Sequence, residues 1–425
     1  MGIVNAELLA RVADSIDIGC DVLHFGNRQI EKSLGAENMS GDTVYITEAD
    51  GGAEFDGIDC SGSIGSCGVS RARLPLQVGV KGCIYELSQA QRDLMVKDGE
   101  FADKMMARFI DGRNAEAYGC ISGACTASAI DKTSGVIKSD DIVNAFYDAL
   151  AGIEASKIKG KVFGIGNGLS LNAMTKGLAQ GTGIGMYNKG NELWKRGLAN
   201  FAGMDWSKSG VLGRVQDTIQ PTKLTAYTVA DDANFAGNVS GSAFKVITHV
   251  TLTGTAGGAV GDAVQPFLVE GWDLCDVLGN DTGLQISLEG TVSAVSGTSY
   301  TVKLANPVRF QALDPFRNVY GSINTSSTAS LNVDVTPVLT GGKTYLNPVL
   351  LSSDDEFYVA VKGLEAMKAK DSATVPSGFG DKGILPIRGT AWSDPKTSVT
   401  YARFDAMFGY MMKRGIASRK IYIEA

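Results

Sequence analysis

Histidine and cysteine are the side chains most able to do chemistry in this chain, and neither forms a recognisable constellation. The two histidines, His24 and His249, lie far apart, and neither stands beside a nucleophile motif such as GxSxG. A catalytic triad or a histidine acid–base pair would have to use one of them. The seven cysteines are scattered and contain no CxxC pair, the short spacing that zinc sites normally show. The sequence therefore predicts no catalytic residue, no metal ligand and no cofactor. Unpaired thiols of this kind are typical of a reducing compartment.

One glycine-rich turn is of a kind that can cradle a phosphate. Gly164, Gly166 and Gly168 lie between a strand-like run and a helix-like run. Their spacing is GxGxG rather than the GxGxxG of dinucleotide sites, and no acidic residue ends a following strand about 20 residues later. The pattern favours a turn that lets a helix pack closely on a strand. A nucleotide-binding α/β enzyme that uses this turn is the first alternative function.

The charge balance and the hydropathy of the chain argue against two classes of partner, nucleic acids and membranes. With 39 Lys and Arg against 46 Asp and Glu, the net charge is −7. Nucleic-acid binders need clustered basic side chains, so specific DNA or RNA binding is not expected. No apolar run reaches the ~20 residues of a membrane span, and no membrane partner is expected. The opening residues, MGIVNAELLARVAD, lack the basic and apolar regions of a signal peptide.

The elements that would position any site begin with an amphipathic helix predicted over residues 3–34. Glu7, Asp14 and Asp21 recur every seven residues on the side opposite its apolar stripe. They form either a solvated face or an acidic dock for a basic partner helix.

A protruding hairpin is predicted next. Strand patterns start at Asp42 and run again from Arg71 to Glu86, with the glycine- and serine-rich segment 51–70 between them. A hairpin of this length cannot bury itself, so we expect it to lie on another surface, such as a neighbouring subunit.

The long helical stretch from Ser88 to Gly123 is the element around which the chain is organised. One face carries Phe101, Met105, Phe109 and Gly112, and the neighbouring face carries Met106, Ile110, Ala117 and Ile121. An apolar arc this wide needs cover from more than one side.

The pattern changes twice in the remaining chain. Residues 139–157 are predicted to form a helix with Ser139 as its N-cap. From Lys223 to about Lys343 the chain is rich in Thr, Ser, Gly and Val, which predicts an inserted antiparallel β domain, either a barrel or a sandwich. Segment 347–367 is then predicted as a strand followed by a helix, and the C-terminal end as strands. Helices and strands in separate blocks indicate the α+β class.

These pieces, in this order, resemble the major capsid proteins of tailed phages of the Hong Kong 97 type. The β insertion is similar to that of the branch of the Salmonella podovirus coat protein. Three stretches carry this likeness: VGDAVQPFLVEGW (Val260 to Trp272) in the barrel, YGSINTSSTASLNVDVTPV (Tyr320 to Val338) at its exit, and SVTYARFDAMFGYMMKRGIAS in the closing strand.

The resemblance implies a domain plan for the whole chain. Its parts are an N-terminal arm (1–40), an extended E-loop hairpin (41–86), the spine helix with the peripheral domain (87–138), the first part of the apical domain (139–222), the inserted β-barrel (223–343), and the apical and peripheral return with C-terminal strands (344–425).

The resemblance also implies a structural role rather than an enzymatic one. Such subunits form pentamers and hexamers that close an icosahedral shell around packaged double-stranded DNA, with a scaffolding protein and a portal as partners. The resemblance further implies that one apolar face of the long helical stretch is intramolecular and that the other lies between subunits. The expected location is the virion, after assembly in the bacterial cytoplasm. Candidate subunit contacts are Arg71, Arg73, Met106, Ile110, Asp231 and Asp232, and candidate scaffold-docking residues are Glu7, Asp14 and Asp21. Asp231 and Asp232 could equally form a solvated turn. A Thr-, Ser- and Gly-rich β binding protein is the second alternative function.

Overall fold

The computed structural model describes residues 27–30, 39–40, 43–50, 70–88, 90–91, 99–122, 126–155, 160–180, 201–208, 214–215, 219–231, 245–275, 281–310, 328–362, 372–378, 384–394, 399–412 and 418–425. Within them lie the helices α1 (Gly99–Ser122), α2 (Ser139–Ala155) and α3 (Gly168–Gln180), and a 3₁₀ helix at Phe201–Gly203.

Strands make up most of the described chain. They are β1 (Asn27–Ile30), β2 (Met39–Ser40), β3 (Thr43–Asp50), β4 (Ser70–Gln77), β5 (Gly79–Leu87), β6 (Thr126–Ile130), β7 (Val162–Gly166), β8 (Asp205–Lys208), β9 (Arg214–Val215), β10 (Pro221–Asp231), β11 (Lys245–Gly254), β12 (Ala263–Cys275), β13 (Asp281–Ser296), β14 (Ser299–Phe310), β15 (Thr328–Pro337), β16 (Tyr345–Ser353), β17 (Phe357–Lys362), β18 (Ser372–Gly378), β19 (Ile384–Asp394), β20 (Val399–Met412) and β21 (Arg419–Glu424).

The first sheet joins both ends of the chain. Its order is β1-β17-β20-β19-β18, and β5 also pairs with β20. The long strand β20 therefore has β5 and β19 along its first part and β17 along its end. The closing strand predicted from the sequence is present, and it is the centre of this sheet.

The second sheet is an α/β layer. Its order is β6-β21-β16-β7-β8, with β9 paired to β16. Helices α2 and α3 supply apolar side chains that meet those of the sheet in one core, which includes Phe146, Leu171, Met174, Val349 and Ile421. This core is completed by Phe201 of the 3₁₀ helix.

The third unit is a closed six-stranded barrel with the order β10-β11-β14-β13-β12-β15. Closing a sheet leaves no exposed edge strand. The interior is filled by apolar side chains, among them Leu224, Tyr227, Ile247, Phe267, Trp272, Tyr300 and Val302. The chain leaves the second sheet at β9 and returns at β16, and these two short stretches pair with each other, Val215 opposite Tyr345. The barrel is thus set into the second sheet as a separate unit.

Helix α1 packs against both flat sheets, on β20 of the first and β16 of the second. Ala117 and Ile121 are fully buried, and the Tyr118 hydroxyl donates a hydrogen bond to the Pro348 carbonyl oxygen. The predicted need for cover on more than one side is confirmed for this part of the helix. Ala117 and Ile121 belong to the face that was predicted to lie between subunits, and for these two residues that prediction is wrong because the chain itself buries them. The helix ends at Ser122, one residue before Gly123, where the predicted helical stretch ends.

A small third sheet, β2-β3-β4, contains the predicted hairpin. Strands β3 and β4 pair antiparallel from Thr43 opposite Gln77 to Asp50 opposite Ser70. The glycine-rich segment 51–69 between them lies outside the described residues.

Two predicted helices are wrong in the residues that the structure describes, because tertiary strand pairing outweighs the local pattern; residues 3–26 and 31–34 of the first lie outside the described residues. Within the predicted helix 3–34, Asn27–Ile30 is strand β1, which pairs parallel with β17. Strand β17 itself, Phe357–Lys362, lies where a helix was predicted. It runs between β1 and β20 with Phe357, Val359 and Ala360 almost fully buried, and a strand buried on both faces has a continuous apolar run that resembles a buried helix.

Two further details also differ from prediction. The run from Arg71 to Glu86 is two strands, because β4 pairs with β3 whereas β5 pairs with β20, and the chain changes sheets at buried Val78. Helix α2 does not use Ser139 as its N-cap. The Ile142 N–H bonds to the Lys138 carbonyl oxygen at 3.3 Å, so helical bonding starts one residue earlier than predicted.

Candidate assembly surfaces

Strand β5 has two different faces. Its side chains alternate between half-buried positions towards α1 and exposed positions. On the inner face, Lys81 forms an ion pair with Glu116 of α1, and its ammonium lies 5.3 Å from the centre of the Phe408 ring. On the outer face, Val80 is 49% exposed and Ile84 is 59% exposed. Two large apolar side chains on one open strand face mark a surface that another protein surface can cover.

The pairing of β5 with β20 is unusually close at one point. Gly82 lies opposite Asp405, and an added Cβ at Gly82 would collide with the Phe404 carbonyl oxygen. The Asp405 side chain is 1% exposed and pairs with Arg403 at 2.9 Å. A buried carboxylate is retained here because a charge partner lies beside it.

The inner face of β5 also carries a thiol and a phenol. Burial is the main reason that the pKa of Cys83 lies above its usual value, and the charge of Asp405 adds to the effect. Burial likewise raises the pKa of Tyr85, and its hydrogen bond with Cys83 raises it further. Both groups therefore stay protonated at neutral pH, and this thiol is not activated as a nucleophile.

The glycine-rich turn carries its own helix cap. Strand β7 ends at Gly166 and α3 starts at Gly168, with Asn167 between them. The Asn167 side-chain oxygen accepts a hydrogen bond from the Ser170 backbone N–H at 2.6 Å. The side chain thus satisfies one of the free N–H groups to which a phosphate would bind.

The glycines of this turn sit where neighbouring side chains come close. A Cβ at Gly164 would lie 2.7 Å from the Trp206 ring, and a Cβ at Gly166 would lie 2.9 Å from Leu171 Cδ2. The predicted use of this turn, close packing of a helix on a strand, is confirmed.

A buried ion pair joins the barrel to the rest of the chain. Lys420 of β21 is fully buried, and its ammonium lies 3.0 Å from Glu289 Oε2 of barrel strand β13. It also donates to the Ser122 carbonyl oxygen at 2.9 Å, at the end of α1. The Ser122 hydroxyl and the Tyr422 hydroxyl both donate to the Glu289 carboxylate, at 3.2 Å and 3.4 Å. The barrel, α1 and the second sheet therefore meet at one carboxylate.

A second polar cluster holds the segment that leaves the barrel. Asp131 accepts hydrogen bonds from the Tyr345 hydroxyl at 2.5 Å and the Thr340 hydroxyl at 2.8 Å. Lys343 lies 3.3 Å from Asp131 and 2.9 Å from Glu424. Burial alone would raise the pKa values of Asp131 and Glu424, but their hydrogen bonds outweigh it and hold both below the usual range. The hydrogen bond to Glu424 is the main cause of the raised pKa of Lys343.

The structure places the predicted contact residues at separate points. Arg71 and Arg73 lie two apart on β4, opposite Ala49 and Thr47, so they share one face of the hairpin. Asp231 ends β10 opposite Lys245, while Met106 and Ile110 lie in α1. Of these five residues the described structure gives the backbone alone. Asp232 and the three scaffold-docking candidates, Glu7, Asp14 and Asp21, lie outside the described residues.

Sequence reasoning missed the outer face of β5 and the ion pair between Glu289 and Lys420. Val80 and Ile84 lie in a run whose pattern signals a strand but not which face lies open. Lys420 within RKIYIE, a strand that is otherwise buried, carried a signal, because a charged residue in a buried strand needs a partner.

The described residues offer neither a metal site nor a helix that could span a membrane. They contain no group of three or more His, Cys, Asp or Glu side chains placed to hold a metal ion. None of their helices is both long and apolar enough to cross a membrane. His249 lies in β11, with its Nδ1 3.0 Å from the Thr248 hydroxyl.

No protein-family model matches the sequence, and no curated protein is similar to it. Among solved structures, the chain is similar to one of Mycobacterium phage Che8, with 9% identity and a TM-score of 0.47, covering 95% of this chain and 92% of that one. It is similar to the capsid of cyanophage P-SCSP1u, with 8% identity and a TM-score of 0.43, covering 95% and 88%. A virus-like particle from Pyrococcus furiosus gives 8% identity and a TM-score of 0.39, covering 97% and 96%. Capsid structures are therefore among those that this chain resembles.

Proposed function

We propose that this chain is the major capsid protein of a tailed double-stranded DNA phage, which assembles into the icosahedral head shell and encloses the packaged genome. The observation that carries the proposal is the inserted barrel. It is bracketed by β9 and β16, which pair with each other in a sheet that α1 also contacts. A sheet spanned by a long helix and interrupted by a barrel is what the resemblance of the sequence implies for the branch with an inserted domain.

The exposed surfaces of the subunit support a structural role in which contacts between subunits do the work. The outer face of β5 presents Val80 and Ile84 on the side away from α1. The hairpin sheet β2-β3-β4 has three strands. A sheet this small buries little apolar surface by itself, so packing on another surface stabilises it. In a shell, the neighbouring subunits supply such surfaces. Arg71 and Arg73 on one face of the hairpin are our candidates for the polar contacts there.

The partners follow from the same proposal. We infer copies of the chain in pentamers and hexamers, a scaffolding protein that nucleates the precursor shell, and a portal at one vertex. The genome is enclosed rather than specifically bound, and the net charge of −7 is compatible with DNA that must move in and out. The location is the virion, after assembly in the host cytoplasm.

Negative-stain microscopy of the expressed protein, with and without its scaffolding protein, tests the proposal. We expect closed shells or irregular tubes of the same lattice. A stable monodisperse monomer that is stabilised by a nucleotide would instead support the alternative enzyme and overturn the capsid proposal.

Ile84→Asp tests the assembly surface on β5. Because Ile84 is 59% exposed, the variant should fold with an unchanged unfolding transition yet form few particles. Val136→Asp, at a valine that is 48% exposed near the second sheet, is the matched control and should assemble. Normal particle yield for Ile84→Asp would remove β5 from the interface without removing the capsid proposal.

A further inference from the structure

The chain passes between the barrel and the second sheet where its entry and exit connections lie side by side. On the exit, the Val338 N–H still bonds to barrel strand β12 at 2.8 Å, whereas the Thr340 hydroxyl already bonds to Asp131 outside the barrel. On the entry, the Gln220 side chain lies so close to Gly341 of the exit that a Cβ there has no room. Two short connections that cross together have the geometry of a hinge.

A second attachment, on strand β13, holds the barrel against the rest of the chain. The Glu289 carboxylate pairs with the Lys420 ammonium at 3.0 Å and accepts hydrogen bonds from the Ser122 and Tyr422 hydroxyls. We call these four residues the latch. Strand β13 lies two places around the barrel from β15, which leads to the exit, so the latch holds a different side of the barrel. Because Lys420 is fully buried, its ammonium depends on Glu289 for a countercharge.

The contact between the outer face of β13 and the residues that cover it, which we call the seam, is incompletely hydrogen-bonded. Ile286 and Leu288 belong to the barrel core, so Ser287 between them points outward, on the face of Glu289. Ser287 is nevertheless fully buried, and its hydroxyl has no hydrogen-bond partner among the described residues. Gln265 of the neighbouring strand β12 is 2% exposed, and both polar atoms of its side chain lack partners in the same part of the chain. Burial therefore removes water from three polar atoms without replacing its hydrogen bonds.

We propose that the barrel is a hinged unit, which the latch holds shut and which swings about its two connections when the latch opens. The barrel has its own apolar core, and its strands close on one another, so it stays folded when the seam opens. Opening gives Ser287 and Gln265 the hydrogen bonds to water that they lack in the closed form. The ion pair of Glu289 and Lys420 opposes the opening. The latch thus selects between two shapes of one subunit.

Thiol labelling at two buried positions separates a hinge motion from unfolding. Ser287→Cys places a thiol in the seam, Val302→Cys places one in the barrel core, and both native side chains are fully buried. If the barrel swings as a folded unit, an alkylating reagent should label residue 287 about tenfold faster than residue 302 or more, as measured by peptide mass spectrometry. Equal rates would mean that both positions open only by unfolding, and they would overturn the proposal.

Glu289→Gln, combined with Ser287→Cys, tests the latch. It should raise the labelling rate at residue 287 about tenfold or more, because the closed form then buries the Lys420 ammonium without a countercharge. Asp334→Asn removes a barrel carboxylate whose side chain is 72% exposed, and as the matched control it should leave the rate unchanged. If Glu289→Gln is labelled no faster than this control, the carboxylate does not hold the barrel shut and the proposal fails.

A second reporter lies on the opposite side of the seam. Ser122, at the end of α1, is buried, so Ser122→Cys should also be labelled faster than Val302→Cys, even if Ser287→Cys disturbs the fold. Labelling of residue 122 at the rate of residue 302 would contradict the hinge. All rates are measured on the unassembled subunit, so the result does not depend on whether shells form.

Discussion

Lys420 and Glu289 form an ion pair but differ in exposure. This difference predicts which of the two side chains can be replaced with the smaller loss of stability. Lys420 is fully buried, whereas the Glu289 side chain keeps 21% exposure. Glu289→Gln leaves a buried ammonium without its countercharge, and we expect it to lower the free energy of unfolding by about 3 kcal/mol. Lys420→Met leaves a carboxylate that water can still reach, and it should cost about 1 kcal/mol or less. Urea unfolding measures the free energy of unfolding of both variants. A larger loss for Lys420→Met than for Glu289→Gln would contradict this account of the ion pair.

The cluster of Asp131 and Glu424 predicts a loss of stability in acid. Both carboxyls have pKa values below their ordinary values of 3.8 and 4.5, so the unfolded chain binds protons first as the pH falls. Their contribution is therefore present above about pH 5 and is lost as the pH falls through the folded-state pKa values. Thermal unfolding between pH 6 and pH 3 should show this decline, and it should be shallower in the double variant Asp131→Asn, Glu424→Gln. Equal slopes in the two proteins would show that the acid sensitivity arises elsewhere.

Adding one methyl group at Gly164 should lower the stability of the protein, because the turn has no room for it. A Cβ there would lie 2.7 Å from the Trp206 ring, so Gly164→Ala must move the indole and should destabilise the protein by about 1–3 kcal/mol. Gly168→Ala is the matched control, because nothing lies within 4 Å of its Cβ position at the start of α3. It should be neutral or slightly stabilising. Similar melting temperatures for the two variants would contradict the packing role of Gly164.

At the scale of elements, the first half of α1 is predicted to have one internal face and one between subunits, whereas in its second half Ala117 and Ile121 of the second face are buried within the chain. Asp at Phe101 or Met105 should unfold the monomer, because that face is expected to pack within the chain. Asp at Met106 or Ile110 should leave a folded subunit that fails to assemble. Circular dichroism and particle yield separate the outcomes, and unfolding by all four substitutions would show that both faces are internal.

The elements that the sequence predicts well are those whose local pattern agrees with their final environment. Helix α1 ends one residue before Gly123, where the predicted helical stretch ends. The strands with alternating apolar and polar residues in 221–337 form a closed barrel, as one of the two predicted arrangements. The failures are strands whose partners are distant in sequence. Strand β1 pairs with residues more than 300 positions later, Asn27 opposite Tyr358, and no local pattern encodes that partner. The same holds for Glu289 and Lys420, because which strand of the barrel faces the second sheet depends on how the barrel closes.

At the scale of the whole molecule, the N-terminal and C-terminal parts of the chain share the first sheet. Strand β1 from the N-terminal side and strands β17–β20 from the C-terminal side share the first sheet, while β21 lies in the second. The barrel is held at Glu289 and at the Asp131 cluster, both of which use residues of the last strand, Lys420 and Glu424. We therefore expect the final strand to be required for the barrel to keep its position on the subunit.

The acidic strip of Glu7, Asp14 and Asp21 makes the remaining prediction, because a scaffolding protein must recognise a subunit before the shell exists. If the strip docks a basic partner helix, the double reversal Asp14→Lys, Asp21→Lys replaces attraction with repulsion and should weaken scaffold binding about tenfold or more. The attraction in the unsubstituted protein should also weaken between 50 mM and 500 mM salt, because exposed charges are screened. Asp334→Lys, which reverses an exposed carboxylate on the barrel, is the control for charge reversal at a surface outside the strip and should assemble as usual. Co-expression with the scaffolding protein, followed by sedimentation and measurement of scaffold content, reads the result. Precursor shells with normal scaffold content from the double reversal would place the scaffold contact on another surface of the subunit.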